Sequence, residues 1–161
     1  MDKRRIAIVL MAVITVLVVS FIFGNSLKSR EESKKDSDAV ALVIEPIIEA
    51  ICGKEVENTG FIVRKMAHFT EFCMLGLAVS GLLAAVDYRR KWWLCGYGLL
   101  FCLVIAVCDE FIQSFTGRGS AVSDVVIDFC GAITGFFALI ALIELIKFAR
   151  NKKQNKKEKC Q

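Results

Sequence analysis

Apolar residues run almost without interruption through four stretches, Ile6 to Gly24, Met66 to Val86, Trp92 to Cys108 and Val125 to about Phe148. Each is long enough for a helix to cross a hydrocarbon layer, which takes roughly 17 to 25 mostly apolar residues. The pattern therefore predicts an all-α integral membrane protein with four transmembrane helices. The first run follows Lys3, Arg4 and Arg5, as a secretory signal would. It is longer than a signal's apolar region, roughly 7 to 15 residues, and no small-x-small cleavage site follows it, so it reads as an uncleaved first helix.

Polar positions divide the rest. Ser26 to Asp38 is dense in charge and reads as flexible chain outside the membrane. Val40, Val43, Ile44, Ile47, Ile48 and Ile51 then recur at helical spacing, with Glu45 and Glu49 on another face. That pattern suits a short helix lying on the interface, begun or kinked by Pro46, and placed to lid whatever lies beneath it. The organisation is thus a first helix over 1–24, an outer connection over 25–64, a three-helix core over 65–148 and a basic tail over 149–161, expected to be disordered.

Orientation follows from lysine and arginine, which short loops retain on the cytoplasmic side. Lys3, Arg4 and Arg5 precede the first helix, Arg89, Arg90 and Lys91 separate the second from the third, and seven basic residues lie between Lys147 and Lys159. The connection from Asn25 to Lys65 holds seven basic and eight acidic residues, and that from Asp109 to Asp124 holds one and three. Both termini are expected in the cytoplasm of the cell whose membrane holds the chain.

Composition agrees with membrane insertion, at 55% hydrophobic residues and a mean hydropathy of +0.54. The net charge of +4 is accounted for by topology and by the lysine-rich tail. It therefore argues for contact with membrane lipids and not for nucleic-acid binding. The seven cysteines are odd in number, form no C-x-x-C and lie mostly within apolar runs, where they act as small apolar residues. Cys52 lies well outside the membrane.

Ten polar residues gather at the same ends of helices two, three and four. They are Lys65, His68 and Glu71, then Asp109, Glu110 and Gln113, then Arg118, Ser123, Asp124 and Asp128. A charged side chain at mid-membrane costs about 2.5 to 3.5 kcal/mol on the insertion scale, so ionisable groups there usually mark a site. Lys65, His68, Glu71 and Leu75 form one helical stripe, and Asp109 and Glu110 both reach Gln113, which extends helix three by a turn. The glycines of Gly117-Arg118-Gly119 permit a tight turn, Ser123 is placed to cap helix four, and Asp124 suits its positive end. Gly131 and Gly135 form a small-xxx-small face below Asp128, which should turn that carboxylate into the bundle.

Arg64-Lys-Met-Ala-His-Phe-Thr-Glu-Phe72, Asp109-Glu-Phe-Ile-Gln-Ser-Phe-Thr-Gly-Arg118 and Ser123-Asp-Val-Val-Ile-Asp-Phe-Cys-Gly131 together resemble the VanZ-like family. These are small multi-span bacterial membrane proteins, named for a member associated with resistance to teicoplanin-type glycopeptides. The resemblance covers roughly residues 61 to 137. It departs from the family pattern at Ile112, where a histidine often stands, and at Gly24-Asn25-Ser26, where the end of helix one is usually richer in serine. It implies a cell-envelope role in glycopeptide susceptibility and no settled reaction.

With His68 neutral, Lys65 and Arg118 against Glu71, Asp109, Glu110, Asp124 and Asp128 leave a formal −3. Such a cluster must protonate some acids or take up a cation or a cationic ligand. One reading makes it a receptor for a lipid-linked envelope precursor or for a glycopeptide's lipophilic part, with Lys65, Gln113, Arg118 and Ser123 binding. A second makes it an enzyme, with His68 as acid or base among Glu71, Asp109, Glu110, Asp124 and Asp128. A third makes it a proton or ion pathway, against which stands its one-sided polarity. The bland reading is a set of ion pairs, Arg118 with Asp124 or Lys65 with Glu71, that fixes helix contacts. His68 and carboxylates from the other two helices have the chemistry to share a metal. The chain has no second histidine, however, and the sequence assigns neither a metal nor a cofactor.

Overall fold

The computed structural model describes residues 2–52, 59–86, 93–119 and 121–158. It contains five helices, α1 (Lys3–Ser26), α2 (Arg30–Cys52), α3 (Thr59–Val86), α4 (Trp93–Phe115) and α5 (Val122–Glu158). No strand occurs among the described residues. Four of the helices, all but α2, are long and apolar enough to span a membrane. The expected fold class is therefore present, and the chain is a multi-pass membrane protein.

Helix α3 packs against each of the other four. Around it lies a core of Ile22 from α1, Phe72, Leu75 and Val79 from α3, Cys102, Ile105 and Ala106 from α4, and Ala132 and Phe136 from α5. The outward faces carry exposed Val9, Val13, Leu17, Leu100, Val104, Val107 and Leu142. Apolar side chains of this kind belong against lipid, where solvent offers no reason to hide them.

The closest packing joins α3 to α5. A Cβ at Gly131 would run into the carbonyl of Phe69, one at Gly135 into the carbonyl of Cys73, and one at Gly76 into the carbonyl of Ala132. The expected glycine face on α5 is thus matched by a glycine on α3, and backbone meets backbone. At the opposite end of α3 from the polar cluster, Arg4 of α1 donates through Nε and Nη2 to the carbonyls of Ala85 and Val86, at 3.2 and 2.9 Å.

Three expectations need correction. The charged stretch expected to be flexible is helical from Arg30 onward. Ser29 and Glu32 form a capping box, with Ser29 N donating to Glu32 Oε2 at 2.9 Å and Glu32 N to Ser29 Oγ at 3.3 Å. Lys28 pairs with Asp36 at 2.8 Å above it, and Pro46 lies within the same helix. The tail expected to be disordered continues α5 as far as Glu158, because nothing after Gly135 breaks it and Lys, Gln and Glu are good helix formers. Ser123 is inside α5, not its cap, and its hydroxyl donates to Asp124 Oδ1 at 3.0 Å.

Gly117 and Gly119 adopt φ of +72° and +70°, the left-handed turn their sequence suggested. Cys73, Cys95, Cys102, Cys108 and Cys130 are free thiols. The Cys52 side chain, Cys160, Ser120, Lys159, the Arg89-Arg90-Lys91 run and the side chains of Ile47, Ile48, Glu49 and Ile51 lie outside what is described.

Gly135→Ala is expected to lower the thermal stability of the protein in detergent micelles by about 1–3 kcal/mol, because the new methyl group overpacks against backbone. A methyl group added at Gly96 would meet nothing within 4 Å, so Gly96→Ala should be neutral or slightly stabilising in the same unfolding measurement.

Candidate functional site

One end of the bundle collects the C-terminal ends of α1 and α4 and the N-terminal ends of α3 and α5. Six of the ten polar residues meet in its interior. Asp109, Gln113 and Asp128 are wholly buried, Arg118 is 8% exposed, the His68 side chain 12%, and Glu71 is half-buried. His68 Nδ1 stands 3.6 Å from Asp128 Oδ1 and 3.8 Å from Asp109 Oδ2. Three helices thus each contribute one donor group to a common point, and these donor atoms lie within 4.8 Å of one another.

Asp109 is the best anchored of the three. Gln113 Nε2 donates to its Oδ2 at 2.7 Å from one turn along α4, and the Ser26 hydroxyl bonds its Oδ1 from α1. Asp128 has no such support, since neither of its oxygens has a hydrogen-bonding partner. Gln113 Oε1, Glu110 Oε1, His68 Nδ1 and Arg118 Nε are likewise buried without one. An unpartnered buried polar atom costs about 1–3 kcal/mol, so these atoms do not themselves stabilise the bundle.

Arg118 reaches into the same space from the glycine turn. Its Nη1 donates to the Asn25 carbonyl at 3.0 Å, and its Nη2 lies 3.5 Å from His68 Nε2. Burial, and then the charge of Arg64, hold the Arg118 pKa below the ordinary arginine value. The carboxylates of Asp109, Glu71 and Glu110 act in the opposite direction. Glu71 is held differently from the pairing expected with Lys65, accepting from the Asn25 side-chain amide at 2.8 Å.

Of the other four, Glu110 and Asp124 are also buried, Lys65 is half-buried and Ser123 is exposed. Lys65 pairs with Asp124, and its ammonium stands 5.0 Å from the ring centre of Phe61. Arg118 is directed at Asn25 and His68 instead, so both of the ion pairs anticipated for a bland network are replaced. Glu110 Oε2 accepts from Ala121 N at 3.0 Å and ties the loop to α4. Ser123 is exposed and does not join the interior set.

Sequence reasoning passed over Asn25 and Ser26, which hold Glu71, Arg118 and Asp109 from the end of α1. The available signal was their place, a polar pair closing an apolar run. Lys28 and Arg64 were also passed over. They line, with Asn25, Ser33, Asp36, Ser37, His68, Glu71 and Arg118, a polar cavity of about 110 Å³. Helix α2 does cover the cluster, but with its polar first turns rather than with the apolar stretch that begins at Val40.

That apolar stretch lines a second space. Phe21, Val40, Ile44, Ile62, Val63, Met66, Thr70 and Met74 border a groove of about 650 Å³ between α1, α2 and α3. It adjoins the polar cavity through Asp36, Ser37, Ala67 and Glu71, which border both.

Ser26→Ala should cost about 1–3 kcal/mol, since it strips a partner from a wholly buried carboxylate. Exposed Ser114→Ala should stay within about 0.5 kcal/mol. Denaturant unfolding of the micellar protein, followed by helical circular dichroism, measures both.

No curated protein matches the chain, and no solved structure does. A protein-family comparison does match, over residues 8–146, which takes in the second and third membrane-spanning helices, most of the first and fourth, and the whole polar cluster. The chain belongs to the VanZ/LLP1 family.

Proposed function

We propose that this VanZ/LLP1 membrane protein recognises an amphiphilic, lipid-linked component of the cell envelope at the extracytoplasmic face and thereby modulates susceptibility to glycopeptide antibiotics. The observation that carries the reading is the pair of adjoining spaces. A small polar cavity bordered by three cations, Lys28, Arg64 and Arg118, against two acids, Asp36 and Glu71, has a positive excess that suits an anionic head group. The apolar groove beside it suits a hydrocarbon chain. The resemblance to the VanZ-like family, with its link to teicoplanin-type resistance, supplies the antibiotic context.

The outward-facing orientation rests on charge. Lys3, Arg4 and Arg5 begin α1, and Arg150, Lys152 and Lys153 lie near the end of α5, both at the end of the bundle away from the cluster. The positive-inside rule assigns that end to the cytoplasm. In a background freed of native cysteines, Ala121→Cys should react with an impermeant thiol reagent on intact cells and Lys152→Cys only after permeabilisation. The reverse pattern would move the site to the other face.

A second reading is enzymatic. His68 borders the polar cavity and stands beside two buried carboxylates, an arrangement suited to proton transfer on a bound head group. One experiment separates the two. Purified protein incubated with an extract of lipid-linked envelope precursors is expected to retain an anionic lipid, identified by mass spectrometry, with its mass unchanged. A changed mass that depends on His68 would favour the enzyme. Arg118→Gln should weaken retention about 10- to 100-fold, as loss of a charge-assisted hydrogen bond does. Equal retention by this variant would remove the head-group assignment.

A further inference from the structure

We infer that His68, Asp109 and Asp128 form a binding site for a single divalent cation. The inference goes beyond lipid recognition and does not depend on it.

The first ground is spacing. His68 Nδ1 lies 3.6 Å from Asp128 Oδ1 and 3.8 Å from Asp109 Oδ2, too far for hydrogen bonds. Two donors that each stand about 2.1 Å from one ion are roughly 3.4 Å apart at a tetrahedral angle and roughly 3.6 Å apart at 120°. The two histidine–carboxylate separations are close to those of ligands to a shared ion, and all three donor atoms lie within 4.8 Å of one another.

The second ground is independent of spacing. Asp128 is 0% exposed and both of its oxygens lack a hydrogen-bond partner, as does His68 Nδ1. A carboxylate buried in this way either stays protonated or is compensated by a positive charge. Among the described residues no lysine or arginine forms an ion pair with Asp109 or Asp128. Lys65 is paired to Asp124, and Arg118 is directed at the Asn25 carbonyl and the far nitrogen of His68. A dication at the meeting point would compensate Asp109 and Asp128 together.

The surroundings fit ligation. Gln113 and Ser26 orient Asp109 through both of its oxygens, the supporting role that outer groups play around metal ligands. The donor set is one imidazole and two carboxylates with no thiolate, which suits Mn²⁺, Fe²⁺ or Zn²⁺ better than a soft ion. Ligation at Nδ1 leaves the ring proton on Nε2, facing the donor-only guanidinium of Arg118 at 3.5 Å. An ion on Nδ1 would therefore leave Arg118 Nη2 without an acceptor at His68. The ion's remaining positions are open to water or to an anionic oxygen from the polar cavity that both residues border.

His68 is the chain's one histidine, which makes a spectroscopic test specific. Untagged full-length protein in micelles is stripped with a chelator and titrated with Mn²⁺. One saturable ion per chain is expected, with electron spin-echo modulation from a single imidazole nitrogen. His68→Gln should abolish that modulation, and Asp128→Asn should weaken binding by about 10-fold or more. Ser114→Ala should bind as the wild type does. No saturable Mn²⁺, bound Mn²⁺ without nitrogen modulation in the wild type, or unchanged affinity in Asp128→Asn would each overturn the site. The wild-type signal decides the matter even if a variant fails to fold. No lipid enters the assay, so failure of ion binding and failure of lipid recognition are separate results.

Discussion

The backbone contact between α3 and α5 is the constraint on which the rest depends. Gly76, Gly131 and Gly135 let the two helices approach until each glycine faces a carbonyl of the other helix. In a membrane, where neighbouring helices gain little from leaving lipid, such close packing is the main source of helix association. It also sets register. Gly131 lies against Phe69, so Asp128, one turn earlier on α5, comes beside His68, the residue before Phe69.

Charge is then distributed by depth around that fixed pair. Lys65 and Asp124 neutralise each other, while Asp109 is embedded in bonds from Ser26 and Gln113. Arg118 is carried inward by a loop that only glycines allow to turn as it does. Interior groups at the centre keep unsatisfied atoms. A purely structural network would be expected to close its own bonds, because buried polar groups are costly when left open. Orphaned atoms remain on His68 of α3, on Glu110 and Gln113 of α4, on Arg118 of the loop and on Asp128 of α5.

Helix α2 links this centre to the lipid. Its polar first turns border the polar cavity and its apolar continuation borders the groove, so one amphipathic helix lines both spaces. A ligand with a charged head and a greasy tail would meet matching surfaces on either side of Ser37.

Much of this was written in the order of residues. Four apolar runs of spanning length dictate four membrane helices, because no other open structure satisfies its backbone in hydrocarbon. The i, i+3 and i, i+4 spacings placed His68 with Glu71, and Asp109 with Gln113, since those relations are internal to one helix. The glycine pair on α5 announced a close neighbour but not which one. The helical state of α2 was also legible, in Ser29 and Glu32, though a charged segment masks such a signal. What the tertiary structure alone decided is partnership across helices. Lys65 meets Asp124 rather than Glu71, Asn25 and Ser26 enter from a helix whose apolar run hid them, and His68 faces Asp109 and Asp128 while Ser123 stays outside. Periodicity determines which face of a helix a residue occupies. Which residue of another helix lies opposite depends on axial register and rotation, and these are set by side-chain and glycine packing between segments far apart in the chain.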